Sequence, residues 1–362
     1  MYKSRSQVDN CVRVGVIGYG YWGSKHARVL AGIPGVELMV IESEQDKRCD
    51  AATAFPAVHR AACLGEVTDM LDAVVIATPP WSHSSIALQA LEAGLHTLVE
   101  KPMATSVEDA EALSDAADAR GLTLMVGHTF EYHAAVWKIR QIITSGALGR
   151  ILYVDTARLQ SGPGPRKDCN VIWDLAPHDI SIASYLLDEF PEAVVARAEY
   201  TVGDIQPDVA YLRMEFPHTA APAFAHVSWL SPVKVRRITV VGDQKMLVYN
   251  DLSNDEPINI YDVDVDIADL DGAPLHLLPK IRTDTVASVE VQWKEPLLVQ
   301  DSHFIDCVRT GRPPESSGER GIGVVRVLVA TDDAVAVGTP DAIRPPSVGW
   351  IPPTVVDTQA AS

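Results

Sequence analysis

Gly18-Tyr19-Gly20-Tyr21-Trp22-Gly23 has a glycine spacing with a specific chemical use. Gly18 permits a tight turn, Gly20 lets the main chain approach a pyrophosphate, and Gly23 lets a helix pack against a strand. The helix opened by such a turn offers free N–H groups and its positive dipole end to phosphates. Glu42, 24 residues after Gly18, closes the next apolar run, Val36–Ile41. A carboxylate there accepts from both ribose hydroxyls of NAD and repels the 2′-phosphate of NADP. NAD is therefore the expected cofactor in preference to NADP. Tyr19, Tyr21 and Trp22 belong to the same expected site, Trp22 either covering the pyrophosphate or packing on the sheet.

Three further segments carry polar groups at element ends. Thr78-Pro79-Pro80-Trp81-Ser82-His83 follows an apolar run and is placed to line the nicotinamide ribose. His83, like His128, reads equally well as a cofactor-edge group or a plain loop residue. Glu100-Lys101-Pro102 ends the next run and puts an ammonium at the same edge; Glu100 either touches cofactor or holds the loop through backbone N–H groups. Asp174 and His178 stand four residues apart, on one face of a helix start.

The elements that must position these groups alternate through residues 12–128. Val74–Ala77, His96–Glu100 and Leu122–Val126 read as strands, with helices at Asp46–Phe55, Ser84–Ala93 and Ser106–Arg120 between turn glycines. Such alternation specifies an α/β, doubly wound parallel (Rossmann) sheet with ligand at the strands' carboxyl ends. Val136–Thr144 leads out of it. After residue 150 come short β runs, among them Ile151–Arg158, Val209–Phe216 and Arg236–Gly242, with one helix at Trp173–Leu187. Ala210, Leu212, Met214 and Phe216 keep the period of a half-buried antiparallel strand. The expected domains are 1–128 for dinucleotide, an α+β unit at 129–338 with a large, mostly antiparallel open sheet whose last helices pack back on the core, and a tail at 339–362.

Composition narrows the function. The 362 residues exceed what one core usually supports, and the net charge of −18 argues against a nucleic-acid partner. Five scattered cysteines without CxxC spacing suggest reduced thiols in the cytoplasm and no structural zinc; no other metal-ligand spacing occurs. No apolar leader or 18-residue apolar span is found, so no membrane partner is expected.

The stretches VVIATPPWSHSSIALQALEAGLHTLVEKPMA, VGHTFEYHAAVWKIRQIITSGALGRI and NVIWDLAPHDISIASYLL together resemble the Gfo/Idh/MocA family (glucose–fructose oxidoreductase, inositol dehydrogenase, rhizopine catabolism) over nearly the whole chain. IGYGYWG and WDLAPHDIS are most similar to a subgroup often encoded beside nucleotide-sugar enzymes. The resemblance implies that Lys101 contacts a substrate hydroxyl and helps move its proton, that His178 is the general base, and that Asp174 orients or acidifies the same constellation. It implies hydride exchange between a carbinol carbon and NAD, and a homodimer or homotetramer. The chemistry agrees: a near-neutral imidazole suits a base for alcohol oxidation, and an ammonium stabilises developing alkoxide. Pro177 before His178, and Ser181 where many members carry an acid, depart from the pattern and leave the base's support open.

Arg158, Arg166 and Lys167 bracket a Gly/Pro-rich loop, with Asn170 and Trp173 close after it. These are the expected substrate contacts, the cations matching a sugar phosphate or nucleotide-sugar diphosphate. An ordinary solvated or subunit-contacting loop is the competing reading. A nucleotide-sugar dehydrogenase or ketoreductase is thus expected first, a free cyclitol or sugar dehydrogenase second, and a non-catalytic NAD-binding regulator third.

Overall fold

The computed structural model describes residues 11–161, 166, 168–202, 206–253, 257–263 and 281–337. Near-continuous apolar runs build a first sheet covered on both faces. Its strands are β1 (Val12–Ile17), β2 (Val36–Ile41), β3 (His59–Ala61), β4 (Ala73–Ile76), β5 (His96–Glu100) and β6 (Leu124–Gly127). All pair in parallel, in the order β3-β2-β1-β4-β5-β6. Val14, Val16, Val40, Val74, Val75 and Ile76 are wholly enclosed, each such side chain contributing about 1.5–3 kcal/mol of transfer free energy. The order reverses beside β1, which opens a crevice at the carboxyl ends of β1 and β4. Helices α1 (Tyr21–Leu30), α2 (Gln45–Ala54), α3 (His83–Glu92) and α4 (Val107–Asp118) make the crossovers. Ser106 caps α4 by accepting from the Asp109 N–H at 3.1 Å.

Helix α5 (Ala134–Thr144) leads into a second sheet of β7 (Ile151–Ser161), β8 (Ala193–Glu199), β9 (Val209–Glu215), β10 (Ala223–Ser228), β11 (Leu230–Gly242), β12 (Lys245–Asn250), β13 (Ile258–Val263) and β14 (Ile281–Val289). The order is β14-β13-β12-β11-β7-β10-β9-β8; β7 and β10 run parallel and the other pairs antiparallel. The inward residues Ala210, Leu212 and Met214 face α6 (Val171–Leu187), whose Ile172, Ala176, Ile180 and Ala183 are fully buried. The opposite face carries Tyr211 stacked on His226 (4.1 Å between ring centres) and Tyr153 edge-on to Phe224.

Two elements differ from the sequence expectation. β11 begins at Leu230 rather than Arg236, because a register shift against β7 between Leu230 and Val235 takes up the residues around Pro232. β14 was not expected: its sequence, IRTDTVASV, has too weak an apolar alternation to stand out, which an edge strand tolerates.

The last two described helices return to the beginning of the chain. α7 (Pro296–Thr310) packs Leu297, Phe304 and Ile305 against Val12, Val14 and Leu30 of the first unit. α8 (Gly318–Val337) wedges between both units, with Val325 in the first core and Val324, Val327 and Leu328 in the second. Its glycines make that approach possible. A Cβ on Gly321 would lie 2.7 Å from Val126, and one on Gly323 2.5 Å from Phe190. The Ser316 carbonyl just before it accepts from the Val126 N–H of β6 at 2.8 Å. The expected tail, 339–362, lies outside the described residues, and no described helix is long and apolar enough to cross a membrane.

Candidate active site

The turn after β1 is close-packed at two glycines and open at the third. Gly18 holds φ +89°, and a Cβ on it would lie 2.9 Å from the Ala77 carbonyl oxygen. A Cβ on Gly23 would fall 1.8 Å from the Gly18 carbonyl oxygen, whereas Gly20 has nothing within 4 Å. Gly20 precedes the first turn of α1, whose N–H groups have no partner within the helix. A dinucleotide pyrophosphate fits this cradle, which any larger side chain at these positions would obstruct.

Glu42 closes β2 and is buried, with one carboxylate oxygen accepting from the Tyr19 N–H at 2.7 Å and the other from the Glu44 N–H at 2.9 Å. Burial pushes its pKa up, but the N–H bonds from Glu44 and Tyr19 outweigh it and the net shift is downward. The carboxylate thus ties the glycine turn to β2. Tyr21 is exposed, with the Lys25 ammonium 4.6 Å from its ring centre. Trp22 turns into a cleft that it lines with Thr78, Lys101, Arg166, Trp173 and Asp174.

At the ends of β4 and β5 the polar groups are knitted together. The Ser82 hydroxyl donates to the Pro79 carbonyl at 2.8 Å and lies 2.8 Å from the Thr78 hydroxyl, which can donate to it. His83 does not present a free edge to the cleft: its two nitrogens lie 2.8 Å from the Pro102 and Thr78 carbonyl oxygens. Glu100 is buried, 3.0 Å from His26 Nε2, and its second oxygen accepts from the Lys101 N–H at 3.2 Å. The Lys101 ammonium donates to the Asp174 carbonyl oxygen at 2.6 Å and lies 3.6 Å from that residue's carboxylate.

The start of α6 supplies the opposing wall. Asn170 caps it, accepting from the Trp173 N–H at 3.0 Å, and the Trp173 indole donates to Asp332 of α8 at 2.7 Å. Asp174 Oδ1 accepts from Arg166 and Oδ2 from the Trp229 indole, each at 3.0 Å. Its carboxylate is thus engaged, and its main-chain oxygen holds Lys101. One turn on, His178 meets the Phe130 ring edge-to-face at 5.1 Å. Its Nδ1 is sealed from solvent without a hydrogen-bond partner. Burial drives its pKa well below the usual value, and Lys101, Arg158, His128 and Arg236 add to the effect, so the ring is neutral at neutral pH. Neither Ser181 nor the neighbouring Asp179 supplies a partner. The Ser181 hydroxyl donates to the His178 carbonyl at 3.0 Å, and Asp179 pairs with Arg158 at 3.1 Å.

The expected cationic cluster is therefore largely neutralised within the protein. Arg158 is buried against Asp179, its guanidinium 4.3 Å from the Phe130 ring centre. Arg166 pairs with Asp168 and Asp174 but still lines the cleft. Lys167 lies outside the described residues. Sequence reasoning missed His26, Phe130 and Trp229, whose polar or ring contacts are with residues remote in sequence. It also missed His128 as a neighbour of His178: a buried ring with both nitrogens unpartnered, whose pKa is pushed down to about 3 by burial and by the Arg320 and Lys101 charges. Among the described residues no cluster of His, Cys, Asp and Glu is arranged to hold a metal ion.

Comparison with known proteins accords with this geometry. The Gfo/Idh/MocA oxidoreductase model, with its NAD-binding Rossmann fold, matches residues 12–128, and that family's C-terminal domain matches residues 136–248. UDP-N-acetylglucosamine 3-dehydrogenase of Acidithiobacillus ferrooxidans is 28% identical over 90% of this chain and 97% of its own length. Its solved structure superposes with a TM-score of 0.76, at 25% identity over 90% of this chain and 97% of that one. The uncharacterized oxidoreductase YdgJ of Escherichia coli is 30% identical over 65% of this chain and 70% of its own. GenD2 from gentamicin A biosynthesis, solved in complex with NAD, is 25% identical with a TM-score of 0.76, over 94% of this chain and 98% of that one. Glycine cradle, Glu-Lys-Pro edge and the Asp-to-His helix thus sit in a fold shared along almost the full chain, and the protein belongs to the Gfo/Idh/MocA family of NAD-binding oxidoreductases.

Proposed function

We propose that this oxidoreductase interconverts a secondary alcohol and a ketone on a sugar, a nucleotide-linked one first of all, with Lys101 and His178 handling the proton. The observation that carries this reading is the Lys101 ammonium at the carboxyl edge of the NAD-binding sheet, held on the Asp174 carbonyl one helical turn before a neutral His178. When bound, the nicotinamide supplies a hydride acceptor or donor. In oxidation, His178 takes the hydroxyl proton while Lys101 donates a hydrogen bond to the oxygen as its negative charge develops; in reduction the proton returns. Asp174 holds the ammonium through its carbonyl, and Trp229 and Arg166 hold Asp174.

The nucleotide-sugar reading draws on the relative that acts on UDP-N-acetylglucosamine and on Arg166 beside the cleft. The pairing of Arg158 and Arg166 with internal carboxylates favours a second reading, a free sugar or cyclitol dehydrogenase. Melting curves with NAD plus UDP- and dTDP-sugars, then with cyclitols, separate the two, because a ligand bound only by the native state raises the melting temperature. Lys101→Met and His178→Ala should abolish turnover and leave the NAD-induced shift nearly intact; full activity in either variant overturns the roles.

The aromatic face of the second sheet, with Tyr153, Tyr211, Phe224 and His226, suits a back-to-back homodimer or a tetramer built from it. Tyr211→Glu should then release monomers in light scattering. The five free cysteines support a reducing, cytoplasmic location.

A further inference from the structure

Two buried histidines outside the expected catalytic set grip the residues on either side of Lys101. His26, on the second turn of α1, has no exposed surface. Its Nε2 lies 3.0 Å from a Glu100 oxygen, and its Nδ1 lies 3.0 Å from both oxygens of Asp301 on α7. His83, the first residue of α3, is equally enclosed and reaches the Pro102 carbonyl with one nitrogen and the Thr78 carbonyl with the other. One histidine therefore holds the residue before the lysine and the other holds the residue after it. Glu100 passes the constraint on directly, since its second oxygen accepts from the Lys101 N–H. Gly127 on β6 makes room for that carboxylate: a Cβ there would lie 3.0 Å from the Glu100 oxygen.

Burying ions is expensive even when they are paired, and apolar residues of similar volume often serve stability as well or better. Here the charged contacts gather at the residue before Lys101, and an enclosed imidazole set between two carbonyls stands at the residue after it. The same α1 that carries His26 begins at the phosphate cradle, so the grip ties the cofactor's seat to the lysine's backbone. We propose that His26, backed by Asp301, and His83 are positioning residues that fix the Lys101 backbone and thereby place its ammonium against the Asp174 carbonyl. This rests on the role given to Lys101 above, and deepens it.

The test uses the full-length chain with saturating NADH and the variants His26→Gln, Asp301→Asn and His83→Phe. Acetic anhydride at limiting dose, read by mass spectrometry at Lys101 and at Lys138, reports how firmly the ammonium is held. Lys101 acetylation should rise several-fold in the variants, with Lys138 unchanged. With UDP-N-acetylglucosamine and NAD, kcat should fall by up to about 10²-fold, the size of effect a displacement near 1 Å produces, at nearly constant KM for NAD. Each variant is assayed at the same margin below its own melting temperature, which separates position from stability. Unchanged Lys101 acetylation in variants that bind NADH overturns the proposal, as does a kcat that returns to the wild-type value at matched margin. If the wild type turns over no sugar, the functional reading fails, while the acetylation result still decides whether the histidines place the lysine.

Discussion

Replacing Gly20 and Gly23 separately by alanine should split two properties that the glycine turn combines. At Gly23 the new methyl would fall 1.8 Å from the Gly18 carbonyl oxygen, at least 1.2 Å inside the 3.0 Å that real Cβ atoms respect. The obstacle is backbone, which cannot rotate aside, so α1 or the turn must shift. Overpacking of this kind costs about 1–3 kcal/mol, and more when the main chain moves. At Gly20 the methyl meets nothing within 4 Å and φ is −83°, which alanine adopts freely. Alanine caps a helix less well than glycine but restricts the unfolded chain, so the two effects largely cancel and the stability change there should stay within about 0.5 kcal/mol. The empty space it fills is the one the glycine spacing reserves for a pyrophosphate's approach. Urea unfolding followed by tryptophan fluorescence, with and without NAD at about 100 times its Kd, reads both effects. Wild type should gain about 2.7 kcal/mol from the ligand. Gly20→Ala should keep the unliganded midpoint and lose most of that gain, while Gly23→Ala should fall in midpoint before any ligand is added. A Gly20→Ala protein with the full NAD increment, or a Gly23→Ala protein as stable as wild type, would refute the account of the turn.

Other consequences are equally direct. Asp301 and Glu100 more than offset burial and raise the His26 pKa to about 10, so its stabilising contribution is complete below about pH 6.5, its unfolded value, and is lost as pH rises through 10. His128, lowered to about 3, acts oppositely: the unfolded chain takes up a proton that the folded one refuses, and stability falls from about pH 6.5 towards 3. Urea midpoints against pH should therefore lose part of their alkaline decline in His26→Gln and part of their acid decline in His128→Phe; curves parallel to wild type would contradict both. Glu42→Ser removes the carboxylate that closes β2, the one expected to repel a 2′-phosphate, and should raise the kcat/KM ratio of NADP to NAD at least about tenfold, equivalent to about 1.4 kcal/mol. Arg166→Ala should weaken the melting shift given by a UDP-sugar and leave that of a cyclitol unchanged; equal losses would show that the guanidinium serves Asp174 alone.

What could be read beforehand follows the range of the interactions. The glycine turn, Glu42 and the parallel strands are short-range patterns, and the Ala210-Leu212-Met214 alternation placed β9 on its correct face. The surroundings of Asp174 were hidden because Trp229 lies 55 residues further on, at the bend between β10 and β11, which no local pattern places. His26 meets partners 74 and 275 residues away, so within α1 it looks like an ordinary helical residue. Arg158 was expected at the substrate because it stands beside a loop. It stands on a strand, as expected, but its side chain is buried, and pairing with Asp179 there is cheaper than leaving a lone charge. β14 escaped because an edge strand needs little apolar alternation.

The wedge made by α8 bears on the order in which the molecule is made. A ribosome releases β6 nearly two hundred residues before Ser316, whose carbonyl completes a hydrogen bond on that strand, and before the glycine face that covers Val126 and Met103. Vectorial synthesis therefore leaves the outer flank of the first sheet bare until the chain is almost finished. The nascent dinucleotide domain has an apolar side waiting for its cover throughout the translation of the second sheet. Messages truncated before codon 318 should yield chains that present this flank to chaperones, and the two cores should join only when α8 arrives.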